Sequence, residues 1–175
     1  LLEQFLHDGI NDRTDRYGGS VENRARIVFE ALDAMLEVID SSRLGIRFSP
    51  HSLSFRQRDS NPVTTYQHVL QKLSSYGLAY VHLIELRGFF LHESPHAPKG
   101  SMVHLFRPLY DGTLITASDY DRSSAIKTLE DREADLVAFW PLLHLEPGPR
   151  ETLEAGCVTQ LVQAQHLLPP GRCGV

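Results

Sequence analysis

With 42% hydrophobic and 22% charged side chains, the 175 residues have the composition of one globular domain and not of a disordered polyelectrolyte. A net charge of −5 and the lack of any Lys/Arg run exclude a nucleic-acid footprint and an affinity for anionic membrane surfaces. No apolar run reaches bilayer length and no charged-then-apolar leader is visible, so the expected setting is cytoplasmic, with Cys157 and Cys173 as free thiols rather than a disulfide or a metal pair.

Along the chain, Gly18-Gly19 supplies a turn able to take positive φ, Ser20 is placed to cap the next helix, and Glu22 puts a negative charge in its first turn. The pattern predicts a helix from about Val21. Its apolar stripe is Ile27, Val28, Ala31, Leu32, Met35, Leu36 and Ile39, with Glu30, Asp33 and Glu37 facing water. Residues 44–48 form a short apolar run closed by Ser49-Pro50 and read as a buried strand. Arg47 interrupts that run. A buried arginine costs free energy unless it is paired, so Arg47 must reach a core carboxylate or an anionic ligand at the strand's end.

Residues 51–61 have no period and read as a loop, after which Asn61 caps a helix with Pro62 at its first position. Tyr66, Val69, Leu70 and Leu73 form its buried stripe, and Gly77 ends it. The next strand covers residues 78–85. His82 reads there as a packed core histidine and Glu85 as a carboxylate paired with a nearby cation such as Arg87, both structural. His92, His96 and His104 invite a metal reading. They lack the His-Glu-x-x-His spacing and a cysteine pair, and no metal is assigned. A helix over residues 102–109, a strand at 113–117, a helix capped by Asp121 or Ser123, and a strand at 134–139 complete the alternation. That order demands parallel strands in an α/β sheet.

One string is more specific than these elements. Leu1-Leu2, Gln4-Phe5-Leu6, Arg13 to Asp15, Tyr17 to Ser20 and Glu22 to Arg24 occur in the order found in the Old Yellow Enzyme family, and further matches lie at Gly45 to Pro50, Leu78 to Glu85 and Ala134 to Phe139. The chain thus resembles the FMN-dependent NAD(P)H oxidoreductases that include ene-reductases, with the likeness fading after about Pro149. The resemblance implies an α/β fold, the C-terminal half (strands five to eight) of a TIM (β/α)8 barrel. Residues 1–160 would form a partial barrel of the NADH:flavin oxidoreductase type and residues 161–175 an irregular tail. A whole barrel takes about 250 residues, so half a barrel is expected to leave the inner faces of its strands open.

The family's chemistry is hydride transfer from NAD(P)H to FMN and then to an activated alkene, a small-molecule substrate. By resemblance, Arg47 faces the pyrimidine edge of the flavin ring. The family's phosphate site uses a Gly-Gly pair after strand seven and a Gly-Arg pair after strand eight, which fall here on Ser118-Asp119 and Trp140-Pro141. Asp119 sets a carboxylate near a phosphate, Trp140 fills space that glycine leaves open, and Pro141 removes a cation and an N–H donor. The phosphate loops are therefore expected to be degenerate. The substrate-orienting histidine and its Asn or His partner, and the proton-donating tyrosine, are expected upstream of Leu1, so no catalytic residue is assigned within the chain. The chain alone is expected to be inactive. The alternative is a non-catalytic fragment, or an interaction module that associates with another half-barrel through free sheet edges.

Overall fold

The computed structural model describes residues 1–50, 58–85 and 101–139, and the backbone of 160–162. A short helix α1 (Leu2–Leu6) precedes the turn that starts α2 (Val21–Leu36). Ser20 caps α2 by accepting from the Asn23 N–H, as the sequence predicts. Both glycines of the turn are needed there. A Cβ on Gly18 would stand 1.9 Å from the Arg13 carbonyl oxygen, and Gly19 has φ +81°. The α2 stripe ends earlier than its periodicity suggests. The helix stops at Leu36, which leaves Val38 and Ile39 exposed beyond it.

Arg24, on α2, is the tie between the first elements. Its guanidinium donates to the carbonyls of Leu6 and Gly19, each at 2.7 Å, and to Thr65 Oγ1 at 3.2 Å, with Asp59 Oδ1 at 3.7 Å. Thr65 lies on α3 (Pro62–Leu73), which Asn61 caps with Pro62 in its first turn. The left-handed Gly77, φ +62°, closes the turn that follows α3.

Strands β1 (Gly45–Phe48), β2 (Tyr80–Ile84), β3 (Leu114–Ala117) and β4 (Leu136–Phe139) lie side by side in chain order, and each pair is parallel. Between them run α3, α4 (Met102–Phe106) and α5 (Arg122–Glu130), the crossovers that parallel strands require. The helix expected over 102–109 is α-helical only to Phe106. It tightens into a 3-10 turn over Arg107–Leu109, where Pro108 has no N–H to continue the ladder. Asp121, not Ser123, is the α5 cap, accepting from the Ser124 N–H at 2.7 Å.

Strand alternation divides the residues between two faces. Phe48, Val81, Leu83 and Leu114 point to the helices and share one core with Leu6, Val28, Tyr66, Leu70, Met102 and Phe106. The opposite, inner face carries the register row Arg47, His82, Ile115 and Leu136, and above it Ile84, Ala117 and Ala138. The expectation of fully open inner faces is not met. Ile115, Ala117 and Ala138 are buried and pack together with Leu136, and the open part of this face is the β1 edge, with Arg47 and Tyr80 exposed.

The expected irregular tail at 161–175 also needs correcting at its start. Gln160–Val162 forms β5, antiparallel to β4 with Leu161 opposite Ala138. The β-branched Val162 and apolar Leu161 suit a strand, and the outer edge of β4 offers its unpaired backbone groups. The parallel order of the four expected strands is untouched. Among the described residues no helix is long and apolar enough to cross a membrane.

Arg24→Met is expected to cost about 3–5 kcal/mol in equilibrium urea unfolding, because Asp59 would stay buried without its cation. A loss under about 1 kcal/mol would show that Arg24 is not the tie described here.

Candidate functional site

Parallel strands bring all their C-terminal ends to one edge of the sheet, where α/β proteins place their ligands. Four features meet the eye there: Arg47 near the end of β1, Glu85 just after β2, Ser118-Asp119 just after β3, and Glu3 from α1 beside Ser49.

Arg47 is exposed on the inner face and has no ion-pair partner among the described residues. Among the described residues no carboxylate forms an ion pair with it. Glu3 is the nearest candidate in electrostatic terms, but its Oε1 accepts from the Ser49 N–H and from Tyr66 Oη at 2.6 Å. Burial raises the Glu3 pKa against the lowering effect of those bonds and of Arg47. Arg47 is thus a cation left for something else.

His82 stands in register with Arg47 on the neighbouring strand. Burial, and then the charge of Arg47, lower its pKa from 6.5 to about 4, so the ring is neutral at physiological pH. Its Nε2 is buried without a hydrogen-bond partner among the described residues. Sequence reasoning treated this histidine as a satisfied core residue. The orphan nitrogen corrects that reading, and only the register of two strands distant in sequence could have exposed it.

Among the described residues Glu85 binds N–H and hydroxyl groups; its expected partner Arg87 lies outside them. Its carboxylate is 1% exposed and collects N–H groups from Met102 at 2.8 Å and Val103 at 3.2 Å, the first turn of α4. Ser101 Oγ, Thr116 Oγ1 and Tyr120 Oη also donate to its Oε1, at 3.1, 3.3 and 3.3 Å. One carboxylate therefore joins the end of β2 to the start of α4 and to both flanks of the loop after β3. Sequence alone could not find this, because the donors come from three separate segments.

Within that loop Ser118 has φ +109° and Asp119 φ +49°. The second value is one that aspartate tolerates, whereas the first belongs to glycine. The backbone here is the one a Gly-Gly pair would take, carrying side chains that strain it. Asp119 is exposed, so its carboxylate stands at the open edge of the sheet. For an anchored phosphodianion this end does not fit, while Arg47 at the other end fits the electron-rich edge of a planar ring. Trp140 and Pro141, the second pair of phosphate-loop positions, lie outside the described residues, as do His92 and His96. His104 pairs with Glu133 at 2.9 Å, and among the described residues no cluster could hold a metal ion.

Ser118→Gly is expected to be more stable than Ser118→Ala by about 1–2 kcal/mol in denaturant unfolding, since both lose the serine hydroxyl and only glycine adopts the same φ without strain; equal stability of the two would mean that this loop is not strained. A second expectation concerns pH. A histidine with a depressed folded pKa binds fewer protons folded than unfolded, so its contribution is present above pH 6.5 and is lost as the pH falls towards about 4. The buried His7 acts in the same direction and Glu3, with its raised pKa, in the opposite one. Comparison with His82→Gln isolates the first: unfolding free energy should fall less steeply over that window in the variant. Equal slopes would contradict a buried neutral His82.

Residues 1–144 match the NADH:flavin oxidoreductase / NADH oxidase family. The chain is 41% identical over 140 residues to the putative 12-oxophytodienoate reductase 4 of Oryza sativa subsp. japonica, which covers 79% of this chain and 36% of that protein. To flavin oxidoreductase hxnT of Emericella nidulans it is 37% identical over 172 residues, 89% of this chain and 44% of the relative. It superposes on the structure of morphinone reductase with a TM-score of 0.72 at 39% identity, over 79% of this chain and 36% of that one. The chain therefore spans less than half the length of these relatives. Its four parallel strands are the corresponding part of a TIM barrel of the old yellow enzyme type. With the match running through residues 1–144, the chain belongs to the NADH:flavin oxidoreductase / NADH oxidase family.

Proposed function

We propose that the chain supplies the ring-edge half of a flavin site in an ene-reductase-type barrel, and that by itself it neither holds FMN nor oxidises NAD(P)H. The observation that carries this is Arg47: a cation on the inner face of β1, exposed and without an ion-pair partner among the described residues. Its charge suits the pyrimidine edge of a flavin, where it would stabilise the reduced, anionic ring. FMN when bound would supply the hydride chemistry of the family, and the substrate class would be small activated alkenes. The groups that orient substrate and deliver a proton would come from the strands that complete the barrel. A cytoplasmic setting suits that chemistry.

The phosphate end supports the negative half of the reading. Losing one charge-assisted hydrogen bond to phosphate costs on the order of 2 kcal/mol, and a facing carboxylate adds repulsion, so binding weakens by roughly a hundredfold or more. Ser118 and Asp119 keep the glycine-like backbone, so the defect there lies in the side chains.

A second reading has its own observation. β1 ends the sheet with one edge unpaired among the described residues, a template for another strand. On this reading the chain docks with a complementary half-barrel.

The chain purified as given is expected to be colourless, with no NAD(P)H oxidation. A preparation carrying stoichiometric flavin would refute this. Joined to the N-terminal half of a relative, with Ser118→Gly, Asp119→Gly, Trp140→Gly and Pro141→Arg, it should bind FMN at least a hundredfold more tightly than the same joined protein with the present loops. Equal binding would sink the account of the phosphate end. Light scattering of the chain mixed with that N-terminal half, unjoined, reads the second reading: a one-to-one complex supports it and two separate species count against it.

A further inference from the structure

Arg47 and His82 stand at paired register on adjacent parallel strands and on the same inner face. Such strands run about 4.8 Å apart, so the two side chains are immediate neighbours. The arginine is exposed and the histidine is 8% exposed, with Nε2 fully buried and without a hydrogen-bond partner. Buried polar atoms are almost always satisfied, and an exception calls for a physical reason. Ile115 and Leu136 continue the histidine's row, Ile84, Ala117 and Ala138 form the row above, and Tyr80 in the row below lays its ring over Gly45; among the described residues Nε2 bonds to none of them. In the row of His82 itself, Arg47 is the residue with polar hydrogens. It carries five N–H donors and no acceptor, so a bond between the two needs a bare nitrogen on the imidazole.

We propose that His82 is the positioning residue of Arg47: its unprotonated Nε2 accepts one guanidinium N–H and holds the remaining donors against the acceptor edge of a flavin ring. This rests on the flavin reading above. An exposed arginine on a strand samples many rotamers, and the other charged group near it, Glu3, is occupied by Tyr66 and Ser49. This structure does not contain that hydrogen bond; once formed, it would remove much of that freedom. Because burial and Arg47 keep the imidazole neutral, the site gains an orienting contact without a second positive charge.

The first test needs no flavin. In the full chain at neutral pH, a long-range proton–nitrogen correlation spectrum should show His82 protonated on Nδ1 and bare on Nε2; a protonated Nε2 overturns the inference by itself. The second uses the joined barrel with restored loops and compares His82→Leu, His82→Gln and Arg47→Met. In His82→Leu the affinity for reduced FMN should fall about tenfold further than that for oxidised FMN, as it does in Arg47→Met, and the flavin potential should fall with it. His82→Gln, whose amide oxygen reaches the place of Nε2, should restore both. Parent-like values in His82→Leu, with Arg47→Met impaired, overturn the positioning role and leave the flavin reading intact. No flavin uptake in any form, with a bare Nε2 in the first test, defeats the flavin reading and leaves the Arg47–His82 pair standing. Should His82→Leu fail to fold, the ring spectrum and His82→Gln still decide.

Discussion

Parallel pairing is the constraint from which the rest of this structure follows. Strands that run the same way cannot be joined by tight turns, so each needs a helix to carry the chain back, and the helices cover one face of the sheet. The covered face takes Phe48, Val81, Leu83 and Leu114, and the other face is left for Arg47 and His82. The same constraint collects the loops after β1, β2 and β3 at one edge. Residues 47, 85 and 118 come to lie along that edge for this reason alone.

Burying polar groups in such a layer is costly, and the chain does it at two places with opposite charges. Arg24 gathers two carbonyls, a threonine hydroxyl and a carboxylate, and so holds α1, the turn before α2 and α3 together. Glu85 gathers N–H groups of α4 and hydroxyls flanking the loop after β3. Each ion sits among enough hydrogen bonds to offset much of its desolvation, which is the condition under which burial of charge is tolerated. His82 is the contrast. Its orphan nitrogen lies beside Arg47, an arginine without such a nest among the described residues.

The two ends of the site have diverged. Arg47 presents a cation on the exposed inner face of β1, whereas Asp119 presents a carboxylate on a backbone shaped like that of a glycine pair. A φ of +109° at Ser118 is a conformation that glycine adopts without cost and serine does not. Thr116 and Tyr120, bonded to Glu85 on either side of that loop, hold it in place.

Local chemistry was enough to read the elements from the sequence. Ser20, Asn61 and Asp121 cap helices because a short oxygen-bearing side chain can reach backbone N–H groups a few residues on, and that reach is a sequence distance. The four strands lie within a residue or two of the predicted ones because apolar runs of that length, bounded by turn residues, have few other uses. The family was legible for a different reason, the long ordered match from Leu1 to Arg24, and the likeness ends near where the sequence suggested. Only the tertiary structure decided the partners. Ile39 falls outside its helix, Leu161 and Val162 join an edge instead of trailing as a tail, and Glu85 meets hydroxyls and amides from distant segments. His82 becomes the neighbour of Arg47, 35 positions away in sequence, through strand register alone. Each of these depends on which distant segment comes to lie alongside, and pattern within a segment carries no information about that.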